Sequence, residues 1–151
     1  MSEDCVGFNP AAVAVVNVGG RWKIAEGSHW ILDFAGDHSA AVRAYQVIQN
    51  YHLTAQCFIR RPNAQMTYWK SGGGIPSGNM PGQDCISFDP NQVSVQRVGP
   101  SWKVVQGSMW MLDFGGDQAA AQQAADTIHH YHMNRQCFVA RPNPPMSYWL
   151  N

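Results

Sequence analysis

Trp30-Ile31-Leu32-Asp33-Phe34-Ala35-Gly36-Asp37-His38-Ser39-Ala40-Ala41 returns, eighty residues on, as Trp110-Met111-Leu112-Asp113-Phe114-Gly115-Gly116-Asp117-Gln118-Ala119-Ala120-Ala121. Each copy reads as an apolar strand that stops at a glycine turn, followed by an aspartate able to cap a helix N-terminus. The segment beyond that aspartate is patterned as a helix, because Ala40, Ala41, Ala44, Ile48 and Tyr51 fall on one stripe and recur as Ala120, Ala121, Ala124, Ile128 and Tyr131. The opposite face of the second copy carries Gln122, Gln123 and Asp126.

The match extends in both directions. Residues 1–71 align with residues 81–151 without a gap, and 33 of the 71 pairs are identical. Two copies of one module is the economical reading. Residues 72–80 are rich in Gly, Ser and Pro, as a flexible linker would be. The expected organisation is therefore module 1 at 1–71, a linker at 72–80 and module 2 at 81–151, each module folding by itself. Turn residues divide each module into short strands, expected in the first at residues 5–8, 13–18, 22–25 and 30–34 before the helix, and at 57–61 and 66–69 after it. The class is α+β: two tandem copies of a small module in which an antiparallel β-sheet packs on one α-helix.

Composition narrows the function. Of 151 residues, 45% are hydrophobic and 13% charged, with ten Lys+Arg against ten Asp+Glu. That is a folded chain without the basic surface that nucleic acid requires, so no nucleic-acid partner is expected. No apolar run approaches the roughly 18 to 20 residues that span a bilayer. The start, Met1-Ser2-Glu3-Asp4-Cys5, is acidic where a secretion signal would be basic and then apolar. A soluble protein with no membrane insertion, cytoplasmic or non-classically secreted, is the expectation.

Each module has two cysteines 52 residues apart, Cys5 with Cys57 and Cys85 with Cys137. Each pair opens two strands that flank the same helix, which suits an intra-module disulfide; buried free thiols in a reducing compartment are the alternative. The spacing matches neither a redox pair nor a zinc site. His129-His130-Tyr131-His132 has no counterpart triplet in module 1, where Gln49 and Asn50 stand instead, so no metal and no cofactor are expected. Catalytic motifs are missing and the shared acids lack paired spacing, which points away from an enzyme, a hydrolase built on Asp33 or Asp113 being the weakest alternative.

Two surface clusters are candidates for binding. With a two-residue turn at Gly27-Ser28, Ala25 pairs with Trp30, Ile24 with Ile31, Lys23 with Leu32 and Trp22 with Asp33. Ala25, Trp30, Leu32 and Phe34 would then face the helix. Trp22, Ile24, Ile31 and Asp33 would form the other face, repeated as Trp102, Val104, Met111 and Asp113. An aromatic plane beside a carboxylate suits a sugar ring, whose C–H face is apolar and whose hydroxyls donate. The same strip equally suits an inter-module or homodimer contact with Asp33 capping a turn, and a change of one residue in register would reverse the faces. The second cluster is Arg61 and Asn63 with Tyr68, mirrored by Arg141, Asn143 and Tyr148. Tyr68 is expected to be the more available of the pair Tyr68-Trp69, and Arg61 could instead pair with a nearby aspartate.

In general architecture the chain resembles tandem-repeat lectins, which are small, neutral and tryptophan-rich. That resemblance implies a non-enzymatic carbohydrate-binding protein with one glycan site per repeat, whose partners are glycans or glycoconjugates. The competing expectation is a protein-binding module, such as an inhibitor or a structural assembly subunit, that uses the shared Trp and Met residues as an interface.

Overall fold

The computed structural model describes residues 2–151 and contains twelve strands and two α-helices. In the first repeat β1 (Asp4–Gly7), β2 (Val13–Val18), β3 (Arg21–Glu26) and β4 (His29–Asp33) precede α1 (His38–Tyr51), and β5 (Ala55–Ile59) and β6 (Met66–Lys70) come after it. The second repeat runs β7 (Asp84–Ser87), β8 (Val93–Val98), β9 (Ser101–Gln106), β10 (Met109–Asp113), α2 (Gln118–Tyr131), β11 (Arg135–Val139) and β12 (Met146–Leu150). The fold is α+β, as the pattern implied.

The helices begin where the aspartates place them. Asp37 accepts a hydrogen bond from the Ala40 N–H and Asp117 from the Ala120 N–H, each at 3.0 Å. They end at His52 and His132, both in the left-handed conformation, with φ of 52° and 53°. Their backbone N–H groups donate to the last helical carbonyls, closing the C-termini.

Each repeat builds two antiparallel three-stranded sheets where a single sheet was expected. The hairpin strands order as β2-β3-β4 and β8-β9-β10, while the strands that flank the helix order as β1-β5-β6 and β7-β11-β12. Cys5 lies opposite Cys57 and Cys85 opposite Cys137, and both pairs form disulfides.

The β1-β5-β6 sheet decides how the repeats combine. Register places Cys57 with Tyr68 and Ile59 with Met66 on one face, and Gln56 with Trp69 and Phe58 with Thr67 on the other. Neither face is polar enough to be left in water, so both must be covered, and one repeat has a single helix. The second repeat supplies the other cover. Trp69 joins α1 in the first core, whereas Cys57, Ile59, Met66 and Tyr68 join Val104, Phe114, Ile128 and Met133 in the second. Reciprocally, Cys137, Val139, Met146, Tyr148 and Leu150 complete the first core.

Both cores are therefore shared between repeats, unlike the two self-contained cores expected from the duplication. The connecting segment is likewise anchored and does not behave as a free tether. Ile75 is buried in the second core, Met80 packs on the first, Tyr51 Oη donates to the Gly78 carbonyl, and Arg43 donates to the Pro81 carbonyl. Among the described residues no helix is long and apolar enough to cross a membrane.

Candidate functional site: the hairpin tryptophans

Trp30 and Trp110, at equivalent positions, are the large hydrophobic side chains left exposed among the described residues, at 55% and 59%. A β-bulge gives each its carboxylate neighbour. Pairing begins as the turn requires, Glu26 with His29 and Ala25 with Trp30, but the register then slips by one, so that Ile24 meets Leu32 and Lys23 meets Asp33. The second hairpin slips at the same place, between Trp110 and Leu112. One strand gains an unpaired residue, Ile31 or Met111, and everything beyond it changes face.

The consequence reverses the expected assignment. Ile24 and Leu32 point into the first core, and Trp22, expected on the open face, is half-buried against that core with its ring 4.0 Å from the His38 imidazole. Trp102 is half-buried against the second core, with the Arg97 guanidinium 5.9 Å from its ring centre. Trp30, expected against the helix, shares its face with Lys23 and Asp33. Trp22 with Asp33, and Trp102 with Asp113, are thus not the aromatic–carboxylate pairs of this surface.

The pairs are Trp30 with Asp33 and Trp110 with Asp113, each joined by a lysine. Lys23 Nζ lies 3.9 Å from the centre of the Trp30 ring and 3.1 Å from Asp33 Oδ2. Lys103 Nζ lies 4.4 Å from the Trp110 ring centre and 2.7 Å from Asp113 Oδ2. Both lysine side chains are largely covered, at 10% and 12% exposure. A desolvated ammonium between a carboxylate and an indole face holds the ring in one orientation; such cation–π contacts contribute about 0.5 to 2 kcal/mol.

The carboxylates are ionised anchors. In Asp33 the Arg21 guanidinium, then the Ala35 N–H, hold the carboxyl far below the usual range, with Lys23 adding to the effect. In Asp113 the Lys103 ammonium and the Gly115 N–H do the same. Arg21 has Ser101 as its counterpart, so site 1 carries one more cation than site 2.

The second expected cluster is dispersed. Arg61 forks onto Asp4 and stacks 4.6 Å over the Phe58 ring, and Arg141 forks onto Asp84 and stacks 4.5 Å over Phe138. The anticipated alternative, arginine pairing with aspartate, is what occurs. Asn63 and Asn143 are exposed at the adjoining turns. Tyr68 and Tyr148, expected to be available, are 2% and 1% exposed, because the sheets that carry them are covered on both faces.

Their hydroxyls serve the repeat interface. Tyr68 and Tyr131 both donate to Glu3, at 2.6 and 2.8 Å, and Lys70 Nζ stands 3.1 Å from the same carboxylate. At the equivalent place Gln83 Nε2 donates to Tyr51 Oη at 2.6 Å and to Tyr148 Oη at 3.2 Å. An ionic network in one half is thus neutral in the other, where Gln83 and Leu150 replace Glu3 and Lys70. Burial pushes the Glu3 carboxyl up, yet the bonds from Tyr68, Tyr131 and Lys70 outweigh it and leave Glu3 below its ordinary value. Glu3 also lies near Cys5 and Cys57, whose sulfurs are consumed in their disulfide and so are not thiolate ligands.

No family model, curated protein or solved structure matches this chain. The residues that sequence reading missed are Trp30, Lys23, Trp110 and Lys103. All four are visible as identities between the copies, but the unbulged register sets Leu32 beside Trp30 and so marks that face for the core, whereas the bulge replaces Leu32 there with Asp33.

Proposed function

We propose that this chain is a non-enzymatic carbohydrate-binding protein with one glycan site per repeat, centred on Trp30 in the first and Trp110 in the second. The observation that carries the reading is the exposed tryptophan, present in both repeats and clamped by Lys23–Asp33 or Lys103–Asp113. A pre-oriented indole offers an apolar plane to the C–H face of a sugar, and the adjacent carboxylate and ammonium offer an acceptor and donors to its hydroxyls. Because neither partner needs to be ordered on binding, little conformational entropy is lost. Two such sites in one chain add avidity for clustered glycans. The extra Arg21 at site 1 favours glycans that carry an acidic group there. Two disulfides fit an oxidising compartment.

Glycan-array screening, then titration calorimetry, tests the proposal. Wild type should take up two equivalents, Trp30→Ala and Trp110→Ala one each, and the double variant none. Unchanged stoichiometry in the single variants would remove these tryptophans from the site.

A second reading, a protein-binding module, is favoured at one place. Beside Trp110, residues Ile86, Phe88, Met109 and Met111 line a hollow of about 140 Å³, large enough to seat one apolar side chain of a partner. Failure to bind any glycan, together with a partner captured by wild type and lost with Trp110→Ala, would establish that reading.

A further inference from the structure

Gln56 and Gln136 hold equivalent positions on β5 and β11 and are only 8% and 9% exposed. Among the described residues, their two carboxamides hydrogen-bond to no group of the protein. The amide atoms themselves reach the solvent of one cleft, so from equivalent positions they present donors and acceptors that a ligand can take over from water. Both residues line one cleft of about 330 Å³ formed where the two repeats meet. Gln65, Thr67, Ser147 and Trp69 line it with them, and no acidic, basic or histidine side chain does.

We propose that this inter-repeat cleft binds a single uncharged sugar ring, at a site separate from the hairpin tryptophans. Carboxamides and hydroxyls each donate and accept, which matches the adjacent hydroxyls of a pyranose; they do not satisfy an ion. An ionic ligand would lose its hydration here with no counter-charge to replace it. The volume lies near the lower end of ligand sites, roughly 300 to 1,000 Å³, which limits the occupant to one ring. Trp69, whose Nε1 donates to the Ser147 carbonyl at 3.0 Å, is itself fully buried and backs the cleft wall. Neither Trp30 nor Trp110 lines the cleft, but Gln136 and Phe138 also border the hollow beside Trp110, so the two sites are separated by the tryptophan variants below.

The test is titration of the full chain with a panel of neutral free pyranoses (glucose, galactose, mannose, xylose and N-acetylglucosamine). The side-chain amide resonances of Gln56 and Gln136 report binding, assigned through Gln56→Leu and Gln136→Leu. At least one sugar should shift both sets of resonances, in wild type and equally in the Trp30→Ala/Trp110→Ala variant. Gln136→Leu should weaken that response by roughly tenfold or more, since it removes hydrogen bonds made to the ligand. Thr67→Val, which keeps shape while removing a lining hydroxyl, should weaken it as well, and serves if the leucine variants fold poorly. Unmoved amide resonances at millimolar concentrations of every sugar, or wild-type binding by both Gln136→Leu and Thr67→Val, would overturn the proposal. A response lost only with the tryptophans would assign it to the hairpins and likewise overturn it.

Discussion

Cutting the chain after residue 72 should leave neither half able to fold as a monomer. In the intact protein Ile59, Met66 and Tyr68 are 1%, 1% and 2% exposed, and the second repeat provides their cover. Fully burying a side chain of this size stabilises by about 1.5 to 3 kcal/mol, so exposing three forfeits roughly 5 to 9 kcal/mol. A folded unit of about seventy residues has only ~4 to 10 kcal/mol in total. The helix α1 loses as well, since Val139, Met146, Tyr148 and Leu150 complete its core. Light scattering behind gel filtration, with denaturant unfolding at several concentrations, provides the assay. The halves alone should be unfolded or should self-associate, each offering its uncovered sheet face to a second copy, and mixing them should restore a one-to-one complex with the stability of the intact chain. A monomeric half that unfolds cooperatively with a concentration-independent midpoint would refute the shared-core argument.

Reduction should be costly: each disulfide closes a loop of 52 residues, which in the chain-entropy model is worth about 4 kcal/mol, so Cys5→Ala/Cys57→Ala should lower the denaturant midpoint substantially while the variant keeps the second bond. Removing a helix cap with Asp37→Ala or Asp117→Ala should cost about 1 kcal/mol each, read by the same unfolding curves. Because the folded-state pKa of Glu3 is depressed, its contribution is fully present above the ordinary value of 4.5 and is lost as pH falls through the folded value. The Glu3→Gln/Lys70→Leu variant, which copies the neutral arrangement of the second repeat, should show a shallower loss of stability below pH 4.5, and an unchanged acid profile would contradict the role given to Glu3. Replacing Lys23 with Met should leave the fold intact yet broaden the Trp30 side-chain resonances, since the ammonium that fixes the ring is gone.

Much of the local structure was legible. Asp37 and Asp117 announced their helices, the alanine stripes named the buried faces, and strand limits fell within a few residues of those expected. The disulfide partners could be read from which cysteines flank one helix. The binding surface was read less well, and Trp22 and Trp30 show why. In the unbulged register Leu32 falls on the Trp30 face and makes it the apolar one, whereas the unpaired Ile31 moves Leu32 to the face of Ile24 and Trp22 and sets Asp33 beside Trp30. Tyr68 failed for another reason: alternation says only that Tyr68 and Trp69 point opposite ways, and it is silent on whether both sides of a sheet are covered.

Helix, strands, turns and duplication depend on neighbours close in the chain or on the repeat itself, so the sequence alone determined them; it named the cysteine partners but left free thiols open, and the strand register that sets Cys5 opposite Cys57 and Cys85 opposite Cys137 decided the bonds. Which repeat covers which sheet face was decided by tertiary structure, because an apolar face specifies burial but not the identity of what buries it. The same holds for the clamp of Lys23 on Trp30 and for Gln56 and Gln136 meeting at one cleft. Those contacts exist only once a bulge and an exchanged pair of cores bring distant residues together, and neither has a signature in the order of residues along the chain.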